Sequence, residues 1–117
     1  FCLVSIKRQT YKDIEIIVVD NNSTDSTKII AHKYTNNVFN YGPERSGQRN
    51  YGAKKSSGSY LFFVDSDMEL GQSVVKECVE KILNSRLSGL IVTEESFNDM
   101  NLGKCLVILT RSSSLRP

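Results

Sequence analysis

The stretch Leu61-Phe62-Phe63-Val64-Asp65-Ser66-Asp67-Met68-Glu69-Leu70 constrains the fold more than any other. An apolar run, rich in aromatic residues, leads straight into two carboxylates one residue apart. Such a run suits a strand buried on both faces, as in a parallel sheet. Open α/β sheets bind ligands just outside the carboxyl ends of their strands, which is where Asp65 and Asp67 fall. Two neighbouring carboxylates repel each other unless a cation or hydrogen-bond donors compensate. A divalent metal carrying a phosphorylated ligand supplies that compensation, because Mg²⁺ usually takes one or two carboxylates and completes its shell with water and phosphate oxygens. The plain alternative is a solvated turn after a strand, where Asp and Ser are common.

At 117 residues the chain is at most one domain. Charged residues at 24% and hydrophobic residues at 39% match ordinary globular usage, so a folded core is expected. A net charge of +2 gives no argument for a nucleic-acid partner. Cys2, Cys78 and Cys105 are odd in number and form no CxxC pair, which points to buried free thiols in a reducing compartment. No apolar run approaches the ~20 residues of a membrane span, and the first residues lack a signal-peptide layout. The expected location is the cytoplasm, or the cytoplasmic face of a membrane as a peripheral protein.

Taken in order, residues 1–7 read as the tail of an amphipathic helix, with Cys2, Leu3 and Ile6 on its apolar side. On this reading the sequence is expected to begin in the middle of an element. Residues 9–13 read as a polar connection. Ile14 to Val19 is a β-branched strand that also ends in a carboxylate, Asp20. Ser23 is placed as the N-cap of a following helix, with Asp25 in its first turn and Ile29, Ile30 and Tyr34 toward the sheet. His32 has no partner at metal-ligand spacing and reads as a surface residue. Val38 to Tyr41 is a short strand, broken by Gly42-Pro43. Residues 46–55 read as a helix despite Gly47 and Gly52, each costing about 1 kcal/mol relative to alanine. That cost points to close packing or a close ligand. After the Asp-Ser-Asp stretch, Ser73 caps a helix whose apolar stripe is Val74, Val75, Cys78, Val79, Ile82 and Leu83. Leu90 to Thr93 and Cys105 to Leu109 read as further strands. The fold class expected is α/β: a mainly parallel open sheet with helices on both faces. Residues 1–109 would form the domain and 110–117 a disordered tail. Asp20, Asp65 and Asp67 are expected to converge on one crevice.

Taken together, Gln9-Thr10-Tyr11, Glu15 to Asp25, Gln48 to Ala53 and Gly58 to Asp67 resemble the family 2 glycosyltransferases. The likeness covers about residues 1 to 95, and the motifs are specific as a set. It implies the GT-A fold, a nucleotide-diphosphate sugar donor and a divalent metal, Mg²⁺ or Mn²⁺. It assigns nucleotide binding to Asp20, Arg49 and Asp65: Asp20 would accept the ring N–H of the base, Asp65 would hold the ribose, and Arg49 would lie near the nucleotide. Asp67 would ligate the metal. Asn50 reads as a structural hydrogen-bonding residue and Arg45 as solvent-facing. The acceptor, whether glycan, lipid or protein, is left open, and no catalytic base is assigned. Glu94, Glu95 and Asp99 are the acidic residues weighed for that role.

The family's first strand, which lies between those ending here at Asp20 and Asp65, has no counterpart in this sequence. Its absence would leave two rows of backbone groups unpaired. Either the flanking strands close up, or Cys105 to Leu109 fills the gap, or a partner chain completes the sheet. Two other functions stay open. One is a haloacid-dehalogenase-like phosphohydrolase, with Asp65 as nucleophile and Asp67 as acid/base. Glu69 stands where that motif carries threonine, and the motif sits mid-chain rather than near the start. The other is a non-catalytic remnant of a transferase.

Overall fold

The computed structural model describes residues 2–92 and the backbone of 105–111. The elements are α1 (Cys2–Lys7), β1 (Ile14–Asp20), α2 (Thr27–Ala31), β2 (Val38–Asn40), α3 (Arg45–Lys55), β3 (Leu61–Asp65), α4 (Val74–Ser85) and β4 (Cys105–Arg111). The alternation of strand and helix follows from the sequence. Apolar β-branched runs give strands, and the longest amphipathic stripe gives α4.

The four strands form one sheet in the order β2-β1-β4-β3. β1 and β2 pair in parallel, Val18 opposite Val38 and Asp20 opposite Asn40. β4 lies between β1 and β3 and runs antiparallel to both. β3 therefore points the same way as β1 and β2, so three of the four strands share one direction. The segment from Cys105 onward thus fills the gap, pairing along β1 from Ile14–Arg111 to Asp20–Cys105 and along β3 from Leu61–Thr110 to Asp65–Leu106. This pairing supplies the partners that the inner edges of β1 and β3 need. Thr110 and Arg111 belong to the strand rather than to a tail.

Helices cover both faces. Ile16 and Val18 of β1 pack with Cys2, Ile6, Ala31, Val64 and Val75, which brings α1, α2 and α4 to one side. Ile17 and Val19 point the other way, toward Phe39 and Tyr51, so α3 covers the second side. Burying each such Ile or Val contributes roughly 1.5–3 kcal/mol.

Several local expectations are corrected. α2 starts at Thr27, because Ser23 is engaged elsewhere, and the Asp25 carboxylate takes the Thr27 N–H (3.0 Å) and hydroxyl. The face turned to the sheet is Ala31, while Ile29 and Ile30 are 68% and 46% exposed. A small residue at the contact lets this short helix lie close. Ser73 precedes α4 as expected, yet its hydroxyl donates to Glu77 (2.7 Å) rather than capping a backbone N–H. Leu83 is exposed, and residues 90–92 form no strand. Thr93, Glu94, Glu95 and Asp99 lie outside the described residues, as do residues 112–117.

Gln9 is the unexpected part of the frame. It reads as loop, yet it is 1% exposed. Its Nε2 donates to the carbonyls of Ser5 (3.1 Å) and Gly71 (2.7 Å), and its Oε1 accepts from the Val75 N–H (3.1 Å). The Leu70 N–H donates to Ser5 Oγ (3.0 Å), and the Thr10 N–H to the Gln72 carbonyl (2.9 Å). Helix α1 is thereby tied to the segment linking β3 to α4, the one that carries Asp67.

Candidate functional site at the carboxyl edge of the sheet

Strands β1 and β3 both end in aspartate at the same edge, and each ends in a tight local structure. After β3 the Met68 N–H donates back to the Asp65 carbonyl (3.0 Å), closing a four-residue turn. Met68 and Leu70 tuck against the core, and Asp67 at the turn's third position is exposed. Among the described residues no ion pair or hydrogen bond engages its carboxylate. Asp65, one step back, is held: Arg49 Nη2 of α3 lies 3.5 Å from its Oδ1, and the Arg49 guanidinium sits 5.9 Å from the Phe63 ring centroid. The Arg49 side chain is 44% exposed, so further N–H donors face solvent.

Asp20 is different. It is 0% exposed, with the Ser23 N–H on Oδ2 (2.8 Å), the Ser23 hydroxyl on Oδ1 (2.6 Å) and Lys28 Nζ 3.9 Å from Oδ2. It organises the turn that follows β1. Asp20 pairs with Cys105 and Asp65 with the next residue, 106, so the two carboxylates are one residue out of phase on the sheet. With side chains alternating along a strand, they leave opposite faces, and β4 separates their backbones by two strand spacings, about 10 Å. The expected single crevice for all three carboxylates is corrected accordingly. Asp65 and Asp67 share one turn, with Arg49 of α3 against Asp65, and Asp20 stands apart on the other face.

Gln48, not Asn50, is the structural hydrogen-bonding residue of α3. It is buried and its Nε2 donates to the Val19 carbonyl (3.3 Å), whereas Asn50 is exposed. Arg45 is exposed, as read from the sequence. The glycine cost in α3 has its explanation in close packing: Gly52 is buried, and a Cβ on Gly47 would come within 3.0 Å of the Tyr41 ring. A separate apolar cavity of about 50 Å³, lined by Leu61, Phe62, Val75 and Val79, lies at the opposite end of β3.

No group of three or more His, Cys, Asp or Glu side chains among the described residues is arranged to hold a metal. A metal that is carried in on a phosphorylated ligand needs only one or two protein carboxylates beside the phosphates. The exposed Asp67 carboxylate fits such a role.

Beneath the turn, the buried Cys2 thiol faces the Asp65 carbonyl at 3.7 Å. Burial, and then the Asp67 and Asp65 carboxylates, push this thiol up from 9.0 to about 11. The folded state keeps its proton where the unfolded chain has lost it. This contribution to stability is present below pH 9 and lost as pH rises to about 11. Two pH units correspond to about 2–3 kcal/mol. Urea unfolding at pH 8 and pH 10.5 should show a steeper loss for the wild type than for Cys2→Ala. Equal slopes would mean that the thiol is not held in this way.

The sequence profile described as "Glycosyl transferase family 2" matches residues 1–110. Glycosyltransferase GlyA of Streptococcus pneumoniae is 36% identical over 104 residues, 84% of this chain and 15% of the relative. A GalNAc(5)-diNAcBac-PP-undecaprenol beta-1,3-glucosyltransferase of Campylobacter jejuni is 33% identical over 87 residues, 66% of this chain and 28% of the relative. WfaP of Escherichia coli, a UDP-Glc:alpha-D-GlcNAc-diphosphoundecaprenol beta-1,3-glucosyltransferase, is 42% identical over 64 residues, 50% of this chain and 26% of the relative. The chain thus spans 15% to 28% of the length of these relatives. No solved structure matches. Because the profile runs along nearly the whole sequence and the relatives carry the same activity class, this chain belongs to glycosyl transferase family 2.

Proposed function

We propose that the chain binds a nucleotide-sugar donor at the carboxyl edge of its sheet and serves transfer of the sugar to an acceptor. The observation that carries this reading is the turn after β3, which presents Asp67 to solvent while Arg49 holds Asp65 beside it. In this reading Asp67 holds a divalent metal, Mg²⁺ or Mn²⁺, on the donor's diphosphate. Bound there, the metal would act as a Lewis acid that neutralises charge on the departing nucleoside diphosphate. Asp65 accepts ribose hydroxyls. Arg49 offers its solvent-facing N–H groups to phosphate oxygens, a charge-assisted contact. Asp20 meets the base only if its contacts with Ser23 and Lys28 give way. Otherwise it acts through the turn that it shapes. The tie between Gln9 and the 70–75 segment sets the height of the Asp67 turn against the sheet.

The acceptor class proposed is a lipid-linked saccharide diphosphate, supported by the names of the Campylobacter jejuni and Escherichia coli relatives. No described helix is long and apolar enough to cross a membrane.

Calorimetric titration with uridine diphosphate (UDP) and Mn²⁺ tests the reading. The wild type should bind only with the metal present, and Asp67→Ala should lose binding by at least tenfold, since it removes the charged metal ligand. Equal affinity with and without Mn²⁺, or an unaffected Asp67→Ala, would refute it.

A further inference from the structure

We propose that Tyr41 and Asn21 form the seat of the donor's nucleobase, Tyr41 stacking on its ring and Asn21 bonding its edge. The inference rests on the donor-binding reading above and adds two residues to which the sequence motifs assign no role.

Tyr41 follows directly on β2. Its N–H donates to the Asp20 carbonyl (2.9 Å), which places it at the same carboxyl edge as the site. One face of its ring stacks on Tyr51, with centroids 4.7 Å apart and planes at 16°. Tyr51 in turn meets Phe39 edge to face at 5.8 Å, and Lys55 Nζ lies 5.4 and 5.5 Å from the Phe39 and Tyr51 centroids. Gly47 lets α3 pass against the Tyr41 ring, where a Cβ would come within 3.0 Å. The ring is thus braced from behind and from the side, yet Tyr41 stays 43% exposed. Leaving a large aromatic ring so well supported and half open has no use in the core. Its geometry suits stacking of a planar heterocycle.

Asn21 completes the arrangement. Its side chain lies over Gly42, where a Cβ would come within 2.4 Å of the Asn21 Cγ. The absence of that Cβ lets the amide sit against the backbone of Gly42, the residue that follows Tyr41. Among the described residues no hydrogen bond engages the Asn21 amide. An amide carries one acceptor and two donors, the pattern that pairs with the polar edge of a base. Arg49 and the Asp67 turn lie toward the other end of the same edge. From β2 to β3 is three strand spacings, about 14 Å, which leaves room for ribose and phosphates between the two ends.

The test compares UDP with inorganic pyrophosphate, each with Mn²⁺, by calorimetry on the 117-residue chain. Base–aromatic stacking should make Tyr41→Ala bind UDP roughly tenfold or more weakly. Pyrophosphate affinity should not change, and Tyr41→Phe should stay within about twofold of wild type. Asn21→Ala should weaken UDP and spare pyrophosphate. Asp67→Ala should weaken both. The wild type also reports directly: saturating the tyrosine ring protons should transfer to the uracil H5 and H6 of bound UDP. Lack of that transfer, or a Tyr41→Ala that binds UDP as the wild type does, overturns the base seat. Wild-type binding of pyrophosphate but not UDP overturns the base seat and leaves the diphosphate site standing. Binding of neither overturns both readings.

Discussion

Replacing Gln9 with leucine should cost about 3–4 kcal/mol, a large share of the 5–15 kcal/mol typical of a small domain. The leucine has similar volume, so the loss is in hydrogen bonds rather than packing. It strips the Val75 N–H and the Ser5 carbonyl of their Gln9 partner in a buried setting, and the part-buried Gly71 carbonyl of one donor. Each buried group left unsatisfied costs about 1–3 kcal/mol. Gln9→Glu should do no better, because it sets an oxygen where the donor faces the Ser5 and Gly71 carbonyls. The pair of variants shows that the position requires donor and acceptor together. Urea unfolding measures both, and a Gln9→Leu within 1 kcal/mol of the wild type would count against the latch. The same variant should weaken Mn²⁺-dependent UDP binding, since the Asp67 turn is anchored through it.

The second large effect is at Asp20. Asp20→Ala removes the acceptor for the Ser23 N–H and hydroxyl at the head of the turn before α2. Hydrogen bonds to a charged group are worth about 1.5–3 kcal/mol each, so a loss of about 3 kcal/mol is expected. Asp20→Asn keeps one oxygen and should lose about half as much. Lys28→Ala should cost under about 1 kcal/mol, because the lysine is a third exposed and 3.9 Å from the carboxylate. Chemical denaturation gives the ranking, and the Ser23 amide resonance reports the turn. A lysine variant as damaging as Asp20→Ala would mean that the ion pair, not the serine, holds this segment.

Much of the GT-A-type α/β fold was legible because its strands are written in consecutive β-branched residues. Ile14 to Val19 serves both faces of the sheet at once, which only an apolar run can do. The Asp-Ser-Asp turn was legible for the converse reason, since carboxylates after such a run must lie at the strand's end. What escaped depends on phase and on partners far along the chain. The out-of-phase ends of β1 and β3 follow from the register of β4, which no local pattern encodes. Ile29 and Ile30 looked like the inner face of α2. The helix starts at Thr27 instead, where the Asp25 carboxylate takes the backbone N–H, and Ala31 is the residue turned inward. Gln9 looked like loop because its three partners lie on α1 and beyond β3. Tyr41 looked like the last residue of a strand, and only the Tyr51 ring behind it marks it out. A glycine at helical spacing in α3 was the one sequence hint that something passed close by.

The position of β4 bears on how this molecule comes to exist at all. Ile14 of β1 pairs with Arg111, so the strand that comes latest in sequence among the described ones lies in the middle of the sheet. Helices and the β1–β2 pair can form as the polypeptide emerges. The central ladder cannot, because closing it joins segments as far apart in sequence as Ile14 and Arg111. Such distant pairing is slow compared with local contacts. Until it happens, β1 and β3 each offer a bare apolar edge to any neighbouring strand, which is the condition under which nascent chains aggregate.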